Sequence, residues 1–415
     1  MEYRRLPTVL EDGAERLWQA LNRMSVDPAP ATTITHIARR AHSSGADLRR
    51  RQAALEEAER IGGVLKGLGN PDGVGPLLGA AATGGYWVAL PDEGYEKYLG
   101  QLLDGKTAAG LLAKAADGDK QALRQLRKYT DSGRSGTDGF ARGLMNTLGA
   151  KGTLQGAAEM HMRMLAMRDT AGGKQAMADR DQVLNMLCDS LAKVTDRGRD
   201  AYLGPGFTED LKEQGRAEHQ MSLPWQPALL GEYDGYWSLG QILRFADAET
   251  PFSAAFTGDV GKDMIDWDRD RPPASWLQIA PLDAFGDPPS LREADPLIGL
   301  MTAAGTGTAA AQGLFNDGRG KPPATLKYLV NGRWQRWNVS DRGDAFGKAL
   351  AKAAAGQDTT SKLLAVQFTQ VRADGINGFM QAKGKDWTVA DRRKVDALSG
   401  LRDSTALILG NHLDD

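Results

Sequence analysis

Over most of this chain apolar side chains return every three or four residues, and that spacing commits it to helices. Within residues 8–25, Leu10, Leu17, Trp18, Leu21 and Met24 share one helical face. Ser25–Ala31 carries two prolines and reads as a loop. Residues 32–66 continue the period through Ile34, Ile37, Ala41, Leu48, Leu55 and Val64, with Arg49, Arg50, Arg51, Glu56, Glu57 and Glu59 as a charged face. Residues 1–66 are therefore predicted to form a helical hairpin.

The same reading divides the rest. Residues 67–137 hold a Gly-rich linker and short helices, with a break expected near Asp104–Lys106. A helical domain over 138–289 is predicted to contain helices at 139–148, 153–170, 174–196, 238–247 and 252–266. Arg271–Pro289 has five prolines and is expected to be irregular. A second helical domain, 290–415, is predicted to place helices at 295–304, 308–316, 342–355, 359–380, 388–397 and 400–413. The fold class is mainly α, multi-helix bundle domains with an N-terminal hairpin. Two glycine-bounded segments echo each other: Gly143-Leu144-Met145 ahead of Gly149, and Gly299-Leu300-Met301 ahead of Gly305. In a chain with 50 glycines, chance is the simpler account of so short a match.

One stretch departs from the pattern. In Leu326–Val339, Asn331-Gly332 stands between β-prone runs, which is the strongest short hairpin signal. A small β-hairpin at 326–339 and a helix end followed by a turn both satisfy it.

Composition narrows the function. The 415 residues exceed one ordinary core. A net charge of −2 lacks the basic excess of a dedicated nucleic-acid binder. Cys188 is the only cysteine, so an internal disulfide and a Cys-rich zinc site are impossible. The opening Met-Glu-Tyr-Arg-Arg-Leu-Pro has no apolar run to make a cleavable signal peptide. No stretch reaches 18 uninterrupted apolar residues, so no membrane-spanning helix is expected. The chain is expected to be made in the cytoplasm. Any secretion would use a route without a cleaved signal.

Local motifs give no catalytic, cofactor-binding or metal-ligating assignment. Asp266-Trp267-Asp268-Arg269-Asp270 has the alternating carboxylates of a calcium loop. Arg271 and Leu277 stand where that loop needs glycine and glutamate, so a solvated acidic turn is expected. Gly73-Val74-Gly75-Pro76 lacks the Gly-Lys-Ser/Thr ending of a phosphate loop. His36, His42, His161, His219 and His412 form no metal-binding pair. Met160, Met164 and Met167 share a helical face, as core packing requires. Cys188, between Leu187 and Leu191, reads as a buried, inert thiol. Lys327, Arg333, Trp334, Arg336 and Trp337 could stack single-stranded nucleic acid. The preferred reading has the tryptophans closing a small core and the arginines facing water.

Several stretches carry a resemblance: Phe140–Leu154, Leu229-Leu230-Gly231-Glu232-Tyr233, Asp295–Met301 with Ala309–Asp317, Leu326–Leu329 ahead of Trp334, and Leu401–Ser404. Over about residues 138–413 the chain resembles a helical domain of unknown function found in large actinobacterial proteins. Those proteins often begin with a helical hairpin of the type VII (WXG-type) secretion class, and some are polymorphic toxins with a C-terminal toxin domain. The shared residues are packing motifs, so the resemblance implies a helical scaffold and no active site. The chain departs from the pattern at the hairpin turn, where Ser25–Pro30 replaces Trp-x-Gly. It also lacks a Tyr-x-x-x-Asp/Glu export signal, and no sequence after the resembling region corresponds to a toxin domain.

The function expected from this is a non-enzymatic scaffold or delivery region of a secreted effector. It would bind a small helical, WXG-type partner through Leu10, Leu17, Trp18, Leu21, Ile34 and Ile37, because a two-helix hairpin cannot bury its whole apolar face alone. Two alternatives stay open. One is an enzyme whose site is assembled from distant residues, with acids of 259–270 meeting arginines from elsewhere. The other is a structural component of a phage-like or injection assembly.

Overall fold

Helices follow the apolar stripes of the sequence, and several begin at a capping side chain. A computed structural model describes residues 95–221, 231–272, 290–318, 321–383, 386–389 and 396–412. The predicted hairpin of residues 1–66 and the proline-rich stretch at 273–289 lie outside the described residues.

Helix α1 runs Tyr95–Ala116 without the break expected near Asp104–Lys106. The interruption comes at 117–119. There Asp119 caps α2 (Lys120–Asp131), its carboxylate accepting from the N–H groups of Gln121 and Ala122 at 2.7 and 3.1 Å. Helix α3, Asp138–Ala166, is capped by the Thr137 hydroxyl and merges the two helices predicted at 139–148 and 153–170. Its axis kinks at Gly149, whose φ of 62° only glycine adopts freely. Helix α4 (Gly173–Thr195) returns antiparallel along α3.

Helix α5, Pro205–Arg216, starts on proline at its first turn and was not foreseen from the apolar period. A two-stranded antiparallel ribbon follows, β1 (Glu218–Gln220) with β2 (Glu232–Asp234), pairing His219 with Tyr233. Helix α6, Gly235–Leu243, is buried along its whole length.

The next stretch is Ala254–Phe256, a wider π turn at Thr257–Gly261, and α7 (Lys262–Asp270). Helices α8 (Pro296–Gly305) and α9 (Thr308–Phe315) match expectation closely. The 326–339 stretch is helical, which decides between its two readings. Ala324–Lys327 leads into a second π turn, Tyr328–Gly332, and then α10, Trp334–Val339. Asn331 and Gly332 sit in that π turn, not in a strand connection.

Helices α11 (Asp344–Ala354) and α12 (Thr359–Phe379) follow. A second ribbon pairs β3 (Met380–Lys383) with β4 (Asp386–Val389). The start of the helix predicted at 388–397 is thus corrected: Trp387, Thr388 and Val389 suit an extended strand and pair with β3, while 390–395 lie outside the described residues. Helix α13, Arg402–Gly410, is the last of the described helices.

The core is apolar and continuous through the described helices. It includes Phe140, Leu144, Leu154, Leu187, Trp237, Leu239, Leu300, Leu314, Phe346 and Leu350. Residues Lys97–Asp415 form one compact unit. Two of its closest helix crossings use the echoed glycines. A Cβ on Gly143 would strike the Leu102 carbonyl, and one on Gly299 would strike the Gly240 carbonyl. The repeated Gly-Leu-Met pattern therefore marks a shared packing device: a bare glycine for close approach, then two buried apolar side chains.

Candidate functional site

The chemically dense part of the molecule is the seam between α7, the start of α8, and the 328–339 segment. Helix α7 turns Met264, Ile265, Trp267 and Asp268 inward. Asp266 and Asp270 stay outside and pair with Arg269 at 2.8 and 3.4 Å. The solvated acidic turn expected at 266–270 is therefore a helix with one carboxylate in the interior.

Asp268 meets Arg333 and Arg336 there. Arg333 Nε donates to Asp268 Oδ2 at 2.7 Å, and its Nη2 to Oδ1 at 3.3 Å. The same guanidinium reaches across to Asp295, with Nη1 to Oδ2 at 3.0 Å and Nη2 to Oδ1 at 2.7 Å. Arg336 donates to the Asp268 carboxylate, to its backbone carbonyl at 2.8 Å and to the Arg271 carbonyl at 3.1 Å. The Tyr328 hydroxyl donates to Asp268 Oδ2 at 2.7 Å. Asp295 also accepts from the Leu297 N–H at 3.0 Å, capping α8.

These contacts correct the expectation that the arginines face water. The Arg333 side chain is 0% exposed and that of Arg336 is 5%. The tryptophan half of the expectation holds for Trp337, which is fully buried, stacked on Phe346, and donates Nε1–H to the Leu329 carbonyl at 2.9 Å. Arg333 also lies 4.1 Å over the Trp337 ring.

Two buried cations face two buried anions, so the cluster is neutral. Burial pushes the Asp268 carboxyl up, but Arg333 and Arg336 more than reverse this and hold it below the usual carboxylate range. Burial likewise disfavours the Arg333 cation, and the two carboxylates outweigh it. With nearly every donor and acceptor used, the cluster is a clamp joining three segments. The side chains of Asp268, Asp295, Arg333 and Arg336 are all at most 5% exposed.

The remaining acids of this stretch also find cations from other elements. Lys212 bridges Asp259 and Glu209, both at 2.8 Å. Arg216 grips Asp263 through Nε and Nη2, both at 2.9 Å, and the Tyr236 hydroxyl bonds to that carboxylate. Arg271 pairs with Asp234 at 2.6 Å and lies over the Trp267 ring. Burial raises Asp234 to about 6, although Arg271 pulls it down.

A second buried polar cluster lies under α6. The rings of His161 and Trp237 meet edge-on at 5.6 Å, and Trp237 meets Tyr233 at 5.7 Å. Here the polar atoms are unsatisfied: both His161 nitrogens, Trp237 Nε1 and the Tyr233 hydroxyl have no hydrogen-bond partner. Burial, with Arg180 and Arg244 nearby, lowers the imidazole to about 3, so it stays neutral. Of the methionines expected on one core face, Met160 and Met164 are buried and Met167 is half-buried against the core; Met162 is buried too. Cys188 is buried as expected, and burial raises its thiol well above the ordinary value. Among the described residues no group of three or more His, Cys, Asp or Glu side chains could hold a metal. No described helix is long and apolar enough to cross a membrane.

Among the described residues, open grooves lie on either side of α11. One, of about 510 Å3, lies between α11 and α13, with Lys348, Ala351, Lys352, Asp403, Ser404 and Leu407 in its lining. The other, of about 390 Å3, includes Asp247, Arg292, Met301, Thr302, Asp344 and Lys348.

Leu10, Leu17, Trp18, Leu21, Ile34 and Ile37, the residues expected to bind a partner, lie outside the described residues. Acids of 259–270 meeting arginines from elsewhere were one sequence expectation, and Asp268 does meet Arg333 and Arg336; the individual members and their burial were not legible, because the bonded partners lie 38 to 68 positions apart. One member left a local trace: Asp295 followed by Pro296 is the cap-then-proline signal of a helix start. Comparison with known families, characterised proteins and solved structures finds no match.

Proposed function

We propose that this chain is a helical scaffold and delivery region of an effector exported by a type VII-like route, without a catalytic role of its own, that binds a small helical partner of the WXG type. The observation that supports this reading most is the use of the strongest charges for holding helices together. Asp268, Asp295, Arg333 and Arg336 are saturated with one another and sealed from solvent. What the described surface offers is helix-walled grooves, which suit other helices. The partner face is assigned to the apolar stripe of Leu10, Leu17, Trp18, Leu21, Ile34 and Ile37.

The test is co-expression of the full chain with the small helical proteins encoded beside its gene, read by size-exclusion mass. A stoichiometric complex that Leu17→Glu with Trp18→Glu abolishes is the expected result. A chain that ignores every such neighbour overturns the reading.

A further inference from the structure

We infer that the groove between α11 and α13 is a self-association face, whose occupant is the same groove of a second copy of this chain. The inference is independent of the helical partner proposed above.

The two wall helices run side by side in the same direction. At their starts, the Gly400 N–H donates to the Arg342 carbonyl at 3.1 Å. In the middle, a Cβ on Gly347 would lie 2.8 Å from the Ser404 hydroxyl. At their ends, Asn411 donates to the Ala355 carbonyl at 2.9 Å, and a His412 ring nitrogen lies 2.7 Å from the Ala354 carbonyl. The groove therefore has two distinct ends. Asp344 and Asp403 stand toward the helix starts, and Lys348 and Lys352 follow one and two turns further along α11. Asp344 and Lys348 are joined within the chain at 2.8 Å. Asp403 and Lys352 are exposed at opposite ends of the groove, with Ala351 and an exposed Leu407 between.

A mainly apolar lining with an exposed anion toward one end and an exposed cation toward the other is complementary to itself; Lys348 also lies between them and is held by Asp344 of its own chain. A two-fold axis across the groove sets Lys352 of each copy against Asp403 of its mate, and brings the two Leu407 side chains together near the axis. Closed two-fold contacts of this kind repeat each favourable pair twice. Leu407 is 53% exposed, an apolar side chain that this packing would cover. Two helices of 11 and 9 residues make a face smaller than the roughly 800 Å2 per partner of a standard interface. The dimer is accordingly transient and salt-sensitive.

The experiment is sedimentation equilibrium of the full chain over a hundredfold concentration range, at low and high salt. The mass is expected to climb toward two protomers at low salt and to fall back at high salt. Lys352→Glu alone, or Asp403→Lys alone, is expected to weaken association at least tenfold, because each places like charges in contact twice. Mixing the two variants restores both attractive pairs and is expected to recover the dimer, which a variant damaged in folding would not do. A mass that stays at one protomer throughout overturns the inference. So does a dimer indifferent to both charge reversals, or one that the mixture fails to rescue.

Discussion

The clamp around Arg333 and the ring cluster around His161 bury polar chemistry equally deeply and treat it in opposite ways. In the clamp, each charge has an opposite charge in contact, and the hydrogen-bonding groups are largely used. In the ring cluster, four polar atoms have no protein hydrogen-bond partner. A satisfied buried ion cluster is costly to break and close to neutral to possess. An unpartnered buried polar atom costs about 1–3 kcal/mol while it is there. Depth of burial alone therefore does not say which of these sites supports the fold.

Breaking the clamp should give the largest effect. Arg333→Met leaves Asp268 with Arg336 alone and removes the guanidinium from the Asp295 carboxylate. A loss of about 3–5 kcal/mol in unfolding free energy is expected by denaturant titration. A loss under about 1 kcal/mol would erase the contrast between the two clusters.

His161→Phe should do the reverse at neutral pH, leaving stability unchanged or raising it by about 1–3 kcal/mol, since the ring stays and the orphaned nitrogens go. It also has a pH signature. The imidazole titrates near 6.5 in the unfolded chain and is lowered to about 3 in the fold. Between those values the unfolded chain takes up a proton that the fold refuses. The native chain should therefore lose stability as pH falls through this window, by up to about 1.4 kcal/mol per pH unit. Asp234 opposes part of that loss, since its carboxyl, raised to about 6, makes the fold the better proton acceptor below that value. Subtracting the His161→Phe curve from that of the native chain isolates the histidine. Equal slopes in the two would remove His161 as the cause. Asp268 has its effect further into acid, where falling pH protonates the lowered carboxyl and releases Arg333 and Arg336.

The smallest effect is expected one residue from the clamp. Arg269→Ala removes the exposed pairs to Asp266 and Asp270 and should cost no more than about 0.5 kcal/mol in the same titration. With Arg333→Met, it measures how far a charge pair depends on which side of α7 it occupies.

The helices were legible from the apolar period: α4, α8, α9, α11 and α12 lie within a few residues of expectation, and α8 and α12 are also capped, by Asp295 and Asp358. Where another signal competed with the period, the reading failed. Asn331-Gly332 is a hairpin signal with no partner strand, and the buried Leu329, Val330 and Trp337 draw the stretch into a helix. Arg333 and Arg336 looked like solvent residues because an arginine is normally placed outside unless its counter-ions are known. Theirs come from helices dozens of positions away. The orphaned atoms of His161 and Trp237 left no trace in sequence, since they depend on how α6 lies against α3.

The two π turns, at Thr257–Gly261 and Tyr328–Gly332, stand immediately before α7 and before Arg333. Each holds one residue more than a regular turn would, and one residue rotates whatever follows by about 100°. Deleting a single residue from either turn would leave the composition almost untouched and swing Asp268 or Arg333 away from its counter-charges. The seam is thus tuned to insertions and deletions as well as to substitutions. A lineage that gained or shed a residue there would have to change both turns together, or give up the buried charges altogether.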